Sequence, residues 1–353
     1  MTATPAAPHP AMLATPGLVD GHIHPDKTSW GSAWMSRRPA RDLAELIEND
    51  RATQFDFAES VEERAYALLA NARRNGTLAM RAHVDVASEL GIRNVEGVRA
   101  AAERLPGLTV QIVAFPQFGL LRNPGTLEVM AASLDAGADL VGGIDPGGIE
   151  GDLHGHLDAV FGLAERKSRD IDIHLHDGGE DGLAQIREIA RRTVATGRQG
   201  RVTIGHAFAL CDESLPSLPE TLDRVAEAGI WIATCALGPD PVPNIDRFEQ
   251  HGVRLVAGSD GVRDSWSPFG TGSMVDRAHL LAYRTGAITD MELERAFRIA
   301  SVAGGEMLGI PEIAEWSGAA AATRLEFAAH SIAQLVVDRP APTRVVRDGV
   351  VLS

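Results

Sequence analysis

The chain has 353 residues, 44% hydrophobic and 23% charged, which allows a sizeable core and excludes a disordered protein. A formal net charge of −15 argues against a nucleic-acid-binding surface, and two cysteines, Cys211 and Cys235, exclude a disulfide framework or a Cys-x-x-Cys zinc site. No stretch approaches the roughly 20 apolar residues of a membrane span, and residues 1–12 do not resemble a signal peptide. We therefore expect a soluble cytoplasmic protein without nucleic-acid or membrane partners.

Short apolar or β-branched runs recur along the chain, and helical patterns lie between them. The eight candidate strands are residues 17–23, 78–84, 108–115, 139–144, 170–175, 201–205, 229–234 and 253–258. Residues 60–63, 217–220 and 289–292 carry the capping-box pattern that opens a helix. Eight strands alternating with helices predict a closed parallel (β/α)8 barrel, a TIM barrel. The alternative, a doubly wound sheet, lacks the Gly-x-Gly-x-x-Gly turn that would support it.

The two ends of the chain lie outside this alternation. We expect a short N-terminal segment over residues 1–16, the barrel over 17–325 and a small C-terminal β appendage over 326–353. Residues 332–352 contain a Pro-rich turn and an Asp-Gly turn, and their alternation predicts two or three short strands.

Polar side chains collect where the predicted strands end, which in such a barrel is the face that carries the active site. Alternation along a strand puts His22 and His24 on one face. Further residues at these ends are His83, Asp85, Gln117, His174, His176, Asp177, His206 and Asp260. Imidazoles and a carboxylate converging from several strands are the ligands that zinc and ferrous iron accept.

Six stretches carry a family resemblance. They are GLVDGHIHPDK, RAHVDVAS, IVAFPQFG, DIDIHLHD, VTIGHAFAL and AGSDGVRDSWSPFGTGSM, which together span about residues 17–275. In order and spacing the chain resembles the amidohydrolase superfamily, and within it the cytosine deaminase-like branch.

The resemblance implies a metal centre and a set of catalytic groups. His22, His24, His174 and Asp260 would bind one divalent ion, Zn²⁺ or Fe²⁺, which makes hydroxide available from a bound water. Asp260 would also accept the proton of that water, and His206 would hold the water or the developing oxygen.

The resemblance further implies three residues that handle the substrate. Asp177 falls where the deaminases place a glutamate that shuttles protons, Gln117 where a glutamine reads the amide edge of the ring, and Trp266 where an aromatic residue closes over it. His176 shares a strand face with His174, so it could line the pocket, although a supporting hydrogen-bonded histidine is the commoner role.

The chain departs from the family pattern at several points. The fourth strand ends in GGIDPGG without a metal-bridging lysine, which favours a single ion. Asp177 is one methylene shorter than the glutamate, so either the substrate sits deeper, or Glu180 takes its place, or the chemistry does not need the same shuttle. Gly261 replaces a second acid, which is expected to enlarge the pocket and to remove one polar contact to the ring. Lys27 could reach an acidic group of a substrate, but we expect it to be a solvated loop residue. The segment before the first strand is short, so the β appendage is reduced or completed by a partner subunit.

These features predict a metal-dependent hydrolytic deaminase that acts on a small pyrimidine-like or triazine-like ring with water. The alternative is hydrolysis of a cyclic or acyl amide by the same metal-activated water, which Gly261 and the shorter Asp177 favour. A third hypothesis, a catalytically inactive barrel, conflicts with the complete ligand set. We also expect a homo-oligomer.

Overall fold

The structure is a computed structural model, and it describes residues 12–353. In chain order the elements are β1 (Met12–Thr15), β2 (Leu18–His24), α1 (Leu43–Thr53), α2 (Val61–Arg74), β3 (Thr77–Asp85), α3 (Arg93–Glu103), β4 (Thr109–Phe115), α4 (Thr126–Asp135), β5 (Leu140–Ile144), α5 (Leu153–Lys167), β6 (Asp170–Leu175), α6 (Gly179–Ala195), β7 (Val202–His206), a 3₁₀ turn (Phe208–Cys211), α7 (Leu218–Glu227), β8 (Trp231–Thr234), α8 (Ile245–His251), β9 (Arg254–Ala257), β10 (Asp260–Gly261), α9 (Met274–Thr285), α10 (Asp290–Ile299), α11 (Val302–Leu308), α12 (Pro311–Ala314), β11 (Arg324–Ala328), α13 (Ile332–Asp338), β12 (Arg344–Arg347) and β13 (Val350–Val351).

Strands β2 to β9 pair in parallel with their neighbours in chain order, and the helices between them cover the sheet. The two-residue strand β10, which follows β9, returns to pair with β2 and places Asp260 beside Ile23 and Gly261 beside His24. This pairing closes the ring. The predicted (β/α)8 barrel is confirmed, and all eight predicted strands correspond to β2–β9.

The closure of the ring requires an unusually close approach between Gly258 and β2. A Cβ atom at Gly258 would lie 2.5 Å from the Cβ of His22 and 2.6 Å from its carbonyl oxygen. Gly205 on β7 makes similar room, because a Cβ there would lie 2.8 Å from Cε1 of the His22 ring. Two glycines therefore form the space that the backbone and ring of His22 occupy.

A separate antiparallel sheet has the strand order β1-β11-β12-β13. Strand β1 lies against β11 with Met12 opposite Ala328, so both ends of the chain contribute to this small β appendage. Strand β11 contains residue 325, the boundary expected between barrel and appendage; the domain limits stay a prediction, as does the homo-oligomer. Residues 1–11 of the predicted N-terminal segment lie outside the described residues.

The prediction of two or three short strands over residues 332–352 is wrong for the first part of this segment, because residues 332–338 form α13. Ser331 accepts a hydrogen bond from the Gln334 amide, and the Gln334 side chain accepts one from the His330 amide. This reciprocal cap starts a helix whose Ala333, Leu335 and Val336 are buried. Strands β12 and β13 follow it as expected.

Two of the three predicted capping boxes form. Ser60 with Glu63 opens α2, and Thr289 with Glu292 opens α10. Ser217 makes no side-chain cap; its own amide donates to the carboxylate of Glu180 while α7 begins with Pro219 in its first turn. No helix within residues 12–353 is long and apolar enough to cross a membrane.

Candidate active site

Three histidines and an aspartate meet at the C-terminal ends of β2, β6 and β10. Nε2 of His24 lies 3.2 Å from Nε2 of His174, and Oδ1 of Asp260 lies 3.3 Å from Nε2 of His24 and 3.7 Å from Nε2 of His22. One nitrogen from each of His22, His24 and His174 falls within 4.8 Å of the others. The structure therefore brings together the four residues predicted as metal ligands.

The electrostatic environment keeps these imidazoles neutral. Burial, reinforced by neighbouring histidines, lowers the pKa values of His22 and His174 well below the ordinary value, and burial lowers the pKa of His24 to about 3. Burial alone would raise the pKa of Asp260. The contact with His24 and the nearby ring of His206 instead hold this pKa well below its usual range. The site thus offers neutral nitrogen lone pairs beside an ionised carboxylate.

Several ring nitrogens of these histidines have no hydrogen-bond partner among the described residues. Nδ1 of His24, Nδ1 of His174 and both ring nitrogens of His22 are buried without a hydrogen bond to any residue in the range 12–353. Buried polar atoms without partners are rare and costly in folded proteins. A divalent cation of the zinc or iron type would use such a donor set, so the residues present fit a metal ion.

The backbone around this cluster is tightly fixed. The carboxylate of Asp20 accepts hydrogen bonds from the amides of His22 and Ser259, which ties β2 to the link before β10. Asp145, His206 and Asp260 adopt positive φ angles of 30°, 66° and 58°. Residues other than glycine rarely hold this conformation, and strain of this kind clusters at functional sites.

His206 and His176 stack beside the cluster, with ring centroids 4.2 Å apart and an angle of 28° between the rings. Nδ1 of His176 lies 2.7 Å from Oδ2 of Asp145, at the end of the neighbouring strand. Burial lowers the pKa of His176, but the charge and hydrogen bond of Asp145, together with the charges of Asp260 and Asp240, outweigh burial and raise the pKa above its ordinary value. Sequence reasoning did not find this pair, because Asp145 precedes His176 by 31 residues.

A cavity of about 830 Å³ opens above these residues. The predicted residues His24, His174, His176, His206, Asp260, Gln117 and Trp266 all line it. Its remaining wall is largely apolar and includes Leu43, Leu46, Phe208, Leu237, Pro239 and Phe269. A polar floor under an apolar wall of this volume is typical of a small-molecule site.

Asp177 is set apart from the other predicted residues. Its carboxylate accepts hydrogen bonds from the Gly148 amide and the Gln185 side chain, each at 2.8 Å, and it is not among the residues that line the cavity. Glu180 binds the Ser217 amide and does not line the cavity either. The assignment of the proton shuttle to Asp177 stays a prediction, and these contacts do not favour it.

Two expectations about neighbouring residues are wrong. Lys27 is not a solvated loop residue: it is 6% exposed, and its ammonium group lies between Asp50, Asp85 and Gln117. The space beside Gly261 is not free, because a Cβ there would collide with the carboxylate of Asp264. Burial raises the pKa of Asp264 to about 7.

Two further sets of side chains near His22 were not predicted as ligands. Cys235, at the end of β8, joins His22 and Asp260 in a group whose possible ligand atoms lie within 4.8 Å of one another. His83 and Asp172 form another such group with His22. Burial raises the pKa of the Cys235 thiol strongly, which disfavours the thiolate that metal binding needs.

Comparison with known proteins agrees with this architecture. Residues 60–314 match the model of the Amidohydrolase family. The chain is 36% identical over 309 residues to N-isopropylammelide isopropyl amidohydrolase of Pseudomonas sp. (strain ADP), which covers 84% of this chain and 75% of that protein. The protein therefore belongs to the amidohydrolase family, and it is a hydrolase.

Solved structures lead to the same family. The crystal structure of N-isopropylammelide isopropylaminohydrolase from Burkholderia multivorans ATCC 17616 superposes with a TM-score of 0.90 at 38% identity, over 96% of this chain and 86% of that one. The structure of 5-methylcytosine deaminase from Klebsiella pneumoniae with phosphonocytosine gives a TM-score of 0.81 at 20% identity, over 100% and 90% of the two chains. The second similarity concerns the fold alone.

Proposed function

We propose that the protein is a metal-dependent hydrolase that removes an amine from a small nitrogen heterocycle, such as an amino-oxo-triazine or an aminopyrimidine. One observation carries the proposal: the neutral imidazoles of His22, His24 and His174 converge on the Asp260 carboxylate at the floor of a cavity of about 830 Å³. Relatives at 36% and 38% identity that are named for N-isopropylammelide support a triazine ring in particular.

We propose that these four residues hold one divalent cation, Zn²⁺ or Fe²⁺. When bound, such an ion supplies a water molecule acidified enough to attack near neutral pH. The end of β5 reads GGIDPGG and offers no bridging lysine, which supports a single ion.

The chain's own residues complete the reaction. Water adds to the ring carbon that bears the amine, the carbon–nitrogen bond breaks, and the products are an oxo ring and a free amine. Asp260 takes the proton of the attacking water and returns it to the departing nitrogen. Burial lowers the pKa of His206 to about 4, so a neutral ring N–H can stabilise the oxygen that develops on the attacked carbon.

The ring is held by other residues that line the same cavity. Gln117 and Trp266 supply hydrogen-bond donors for it, and His176, oriented by Asp145, lines the cavity beside His206. The apolar wall of the cavity has room for an alkyl group on the leaving amine, which a bare aminopyrimidine would not fill.

The test is product analysis with zinc-loaded and iron-loaded protein. N-isopropylammelide, ammelide, cytosine and a panel of lactams would be incubated with the wild type and with His22→Ala. We expect isopropylamine or ammonia from a triazine or pyrimidine, and none from the variant. A new carboxylate from a lactam without amine release would replace the proposal by amide hydrolysis.

Asp177→Asn separates two routes for the proton. If Asp260 returns the proton, the variant keeps kcat within about threefold of the wild type. A loss of ~100-fold or more would restore the shuttle assigned to Asp177 from the family resemblance.

A further inference from the structure

Lys27 is one of only two lysines in the chain, the other being Lys167. Its Nζ lies 2.6 Å from Oε1 of Gln117, 3.3 Å from Oδ2 of Asp50 and 3.3 Å from Oδ1 of Asp85. An ammonium group has three donors, and these three partners use all of them. Helix α1, strand β3 and the segment after β4 therefore hold the lysine head in one place.

This contact fixes the orientation of the Gln117 amide. An ammonium group can only donate, so the atom of Gln117 that faces it must be the carbonyl oxygen. A flipped amide would place its NH₂ group against the ammonium and lose the shortest of the three contacts. The backbone nearby is fixed as well, because Glu150 accepts hydrogen bonds from the amides of Leu121 and Arg122.

The amide nitrogen of Gln117 is left without an acceptor. The residue is 2% exposed, and its Nε2 has no hydrogen-bond partner within residues 12–353. The same holds for Nε1 of Trp266, which lines the same cavity. A buried donor without a partner costs about 1–3 kcal/mol, so two of them beside one cavity indicate a ligand that offers acceptor atoms.

We propose that Lys27 is a positioning residue that acts through Gln117, holding the amide with its NH₂ group as the donor so that the cavity binds a ring through an oxo group. The inference rests on the proposed function for the kind of ring that enters the cavity. It adds which buried residue sets the recognition of the ring edge that the family resemblance assigns to Gln117.

The probe is cyanuric acid, a triazine with an oxo group on each ring carbon and no amine to remove. Because the ring has threefold symmetry, any of its three equivalent oxo groups can face Gln117. Its dissociation constant would be measured by calorimetry on the metal-loaded full chain for the wild type, Lys27→Met, Gln117→Leu and the double variant. Lys167→Met is the matched control, since Lys167 pairs with Asp135 on the surface.

We expect Lys27→Met to weaken binding about tenfold, which corresponds to about 1.4 kcal/mol. Gln117→Leu should weaken binding at least as much, and the double variant should bind within about twofold of Gln117→Leu, because the lysine acts through the glutamine. With N-isopropylammelide, Lys27→Met should raise KM while kcat stays within about threefold. If the fold-losses of affinity in the two single variants multiply in the double variant, Lys27 acts independently of Gln117 and the inference is overturned. Unchanged binding of cyanuric acid by Lys27→Met would overturn it as well.

Lys27→Met leaves Asp50 and Asp85 without their cation and could fail to fold. Combining Lys27→Met with Asp50→Asn removes one of these charges, and the oxygen of the substituted amide can still accept a hydrogen bond from Ser265, as the Asp50 carboxylate does. Gln117→Glu is a second variant that keeps Lys27 paired but has no NH₂ donor, and it should also bind cyanuric acid at least tenfold more weakly.

The outcomes separate the inference from the proposed function. Selective binding of cyanuric acid without turnover of any ring would remove the proposed function and leave the oxo-binding site. Turnover of N-isopropylammelide, combined with affinity losses that multiply in the double variant, would support the proposed function and remove the inference about Lys27. No binding of cyanuric acid by the wild type would overturn the inference.

Discussion

Substituting Gly258 by alanine tests whether the close approach of β2 and the β9–β10 link positions the candidate metal cluster. The added Cβ would lie 2.5 Å from Cβ, 2.6 Å from the carbonyl oxygen and 2.8 Å from the amide nitrogen of His22. Uncrowded contacts between carbon atoms begin near ~3.5 Å, so the two segments must separate by about 1 Å. The atoms in the way are mostly backbone, so a side-chain rotation cannot relieve the overlap.

The separation acts directly on the site, because β2 carries His22 and His24 while β10 carries Asp260. We expect Gly258→Ala to lower the free energy of unfolding by about 1–3 kcal/mol, the usual cost of overpacking a core. A displacement of about 1 Å in catalytic groups costs on the order of 100-fold in rate. The assays are kcat/KM on the hydrolysed ring, bound metal per chain by mass spectrometry, and thermal unfolding.

Gly178→Ala is the matched control. Gly178 has a φ of −94°, which alanine adopts without strain, and a Cβ there would meet no atom within 4 Å. The control should match the wild type in kcat/KM and bound metal, and it should lose no more than about 1 kcal/mol of stability, because Gly178 is the N-cap of α6. Full metal content and kcat/KM within about threefold of the wild type in Gly258→Ala would refute the argument that this glycine spaces the cluster.

Three further predictions concern the metal, the buried ion pair between Arg81 and Asp172, and the effect of pH. Free zinc at about 100 times its dissociation constant should stabilise the fold by about 2.7 kcal/mol, which for a chain of this length raises Tm by roughly 4 °C. A chelator should reverse this rise, and an equal rise in His22→Ala would contradict the ligand assignment. Arg81→Met should cost ~3–5 kcal/mol in urea unfolding, because Nη1 of Arg81 lies 3.0 Å from Oδ2 of the fully buried Asp172; an unchanged midpoint would contradict this. The pKa of Asp264 is about 7 in the folded protein, above its ordinary value of 3.8. As pH rises, the unfolded chain therefore releases this proton before the folded protein does. The free energy of unfolding should fall between about pH 4 and pH 7. Asp264→Asn should flatten that part of the pH profile of unfolding free energy, and a profile that keeps the wild-type slope would show that another group is responsible.

The barrel and the histidine cluster could be predicted because both follow from local pattern. Each strand is a short apolar run that can be recognised in the sequence. In a (β/α)8 barrel the C-terminal ends of all strands lie on the same face. His22, His24, His174, His206 and Asp260 are therefore neighbours as soon as the barrel is assumed. The structure places all five around one cavity floor.

The error on Lys27 has a different origin, because its partners lie 23, 58 and 90 residues further along the chain. No periodicity links such positions, and a lysine after a strand is usually solvated. One signal was present: the chain uses arginine almost everywhere, and one of its two lysines follows the His-x-His pair by three residues. A compact ammonium with three donors fits a space between two carboxylates and an amide that a planar guanidinium would not fill.

The error on α13 shows that local patterns can compete. Residues 332–338 read IAQLVVD, and their β-branched content favours a strand. The reciprocal hydrogen bonds between the His330–Ser331 corner and Gln334 favour a helix, and burial of Ala333, Leu335 and Val336 reinforces it. Capping decided the outcome, and it was visible in the sequence as Ser331 followed three residues later by Gln334.

The cavity has metal-binding groups in one part and hydrogen-bond donors in another, and this arrangement bears on which bond of the substrate is cut. The metal cluster offers nitrogen lone pairs and a carboxylate, while Gln117 and Trp266 offer N–H donors that have no acceptor within residues 12–353. Under the proposed function, a ring that gives an oxo group to the donors must turn another ring carbon toward Asp260. An amine on that carbon leaves, and an alkyl group on the amine can pack on the apolar wall. The position of cleavage would then be set by the far edge of the ring, so Gln117→Leu should yield a mixture of products from a ring with two different amines, where the wild type yields one.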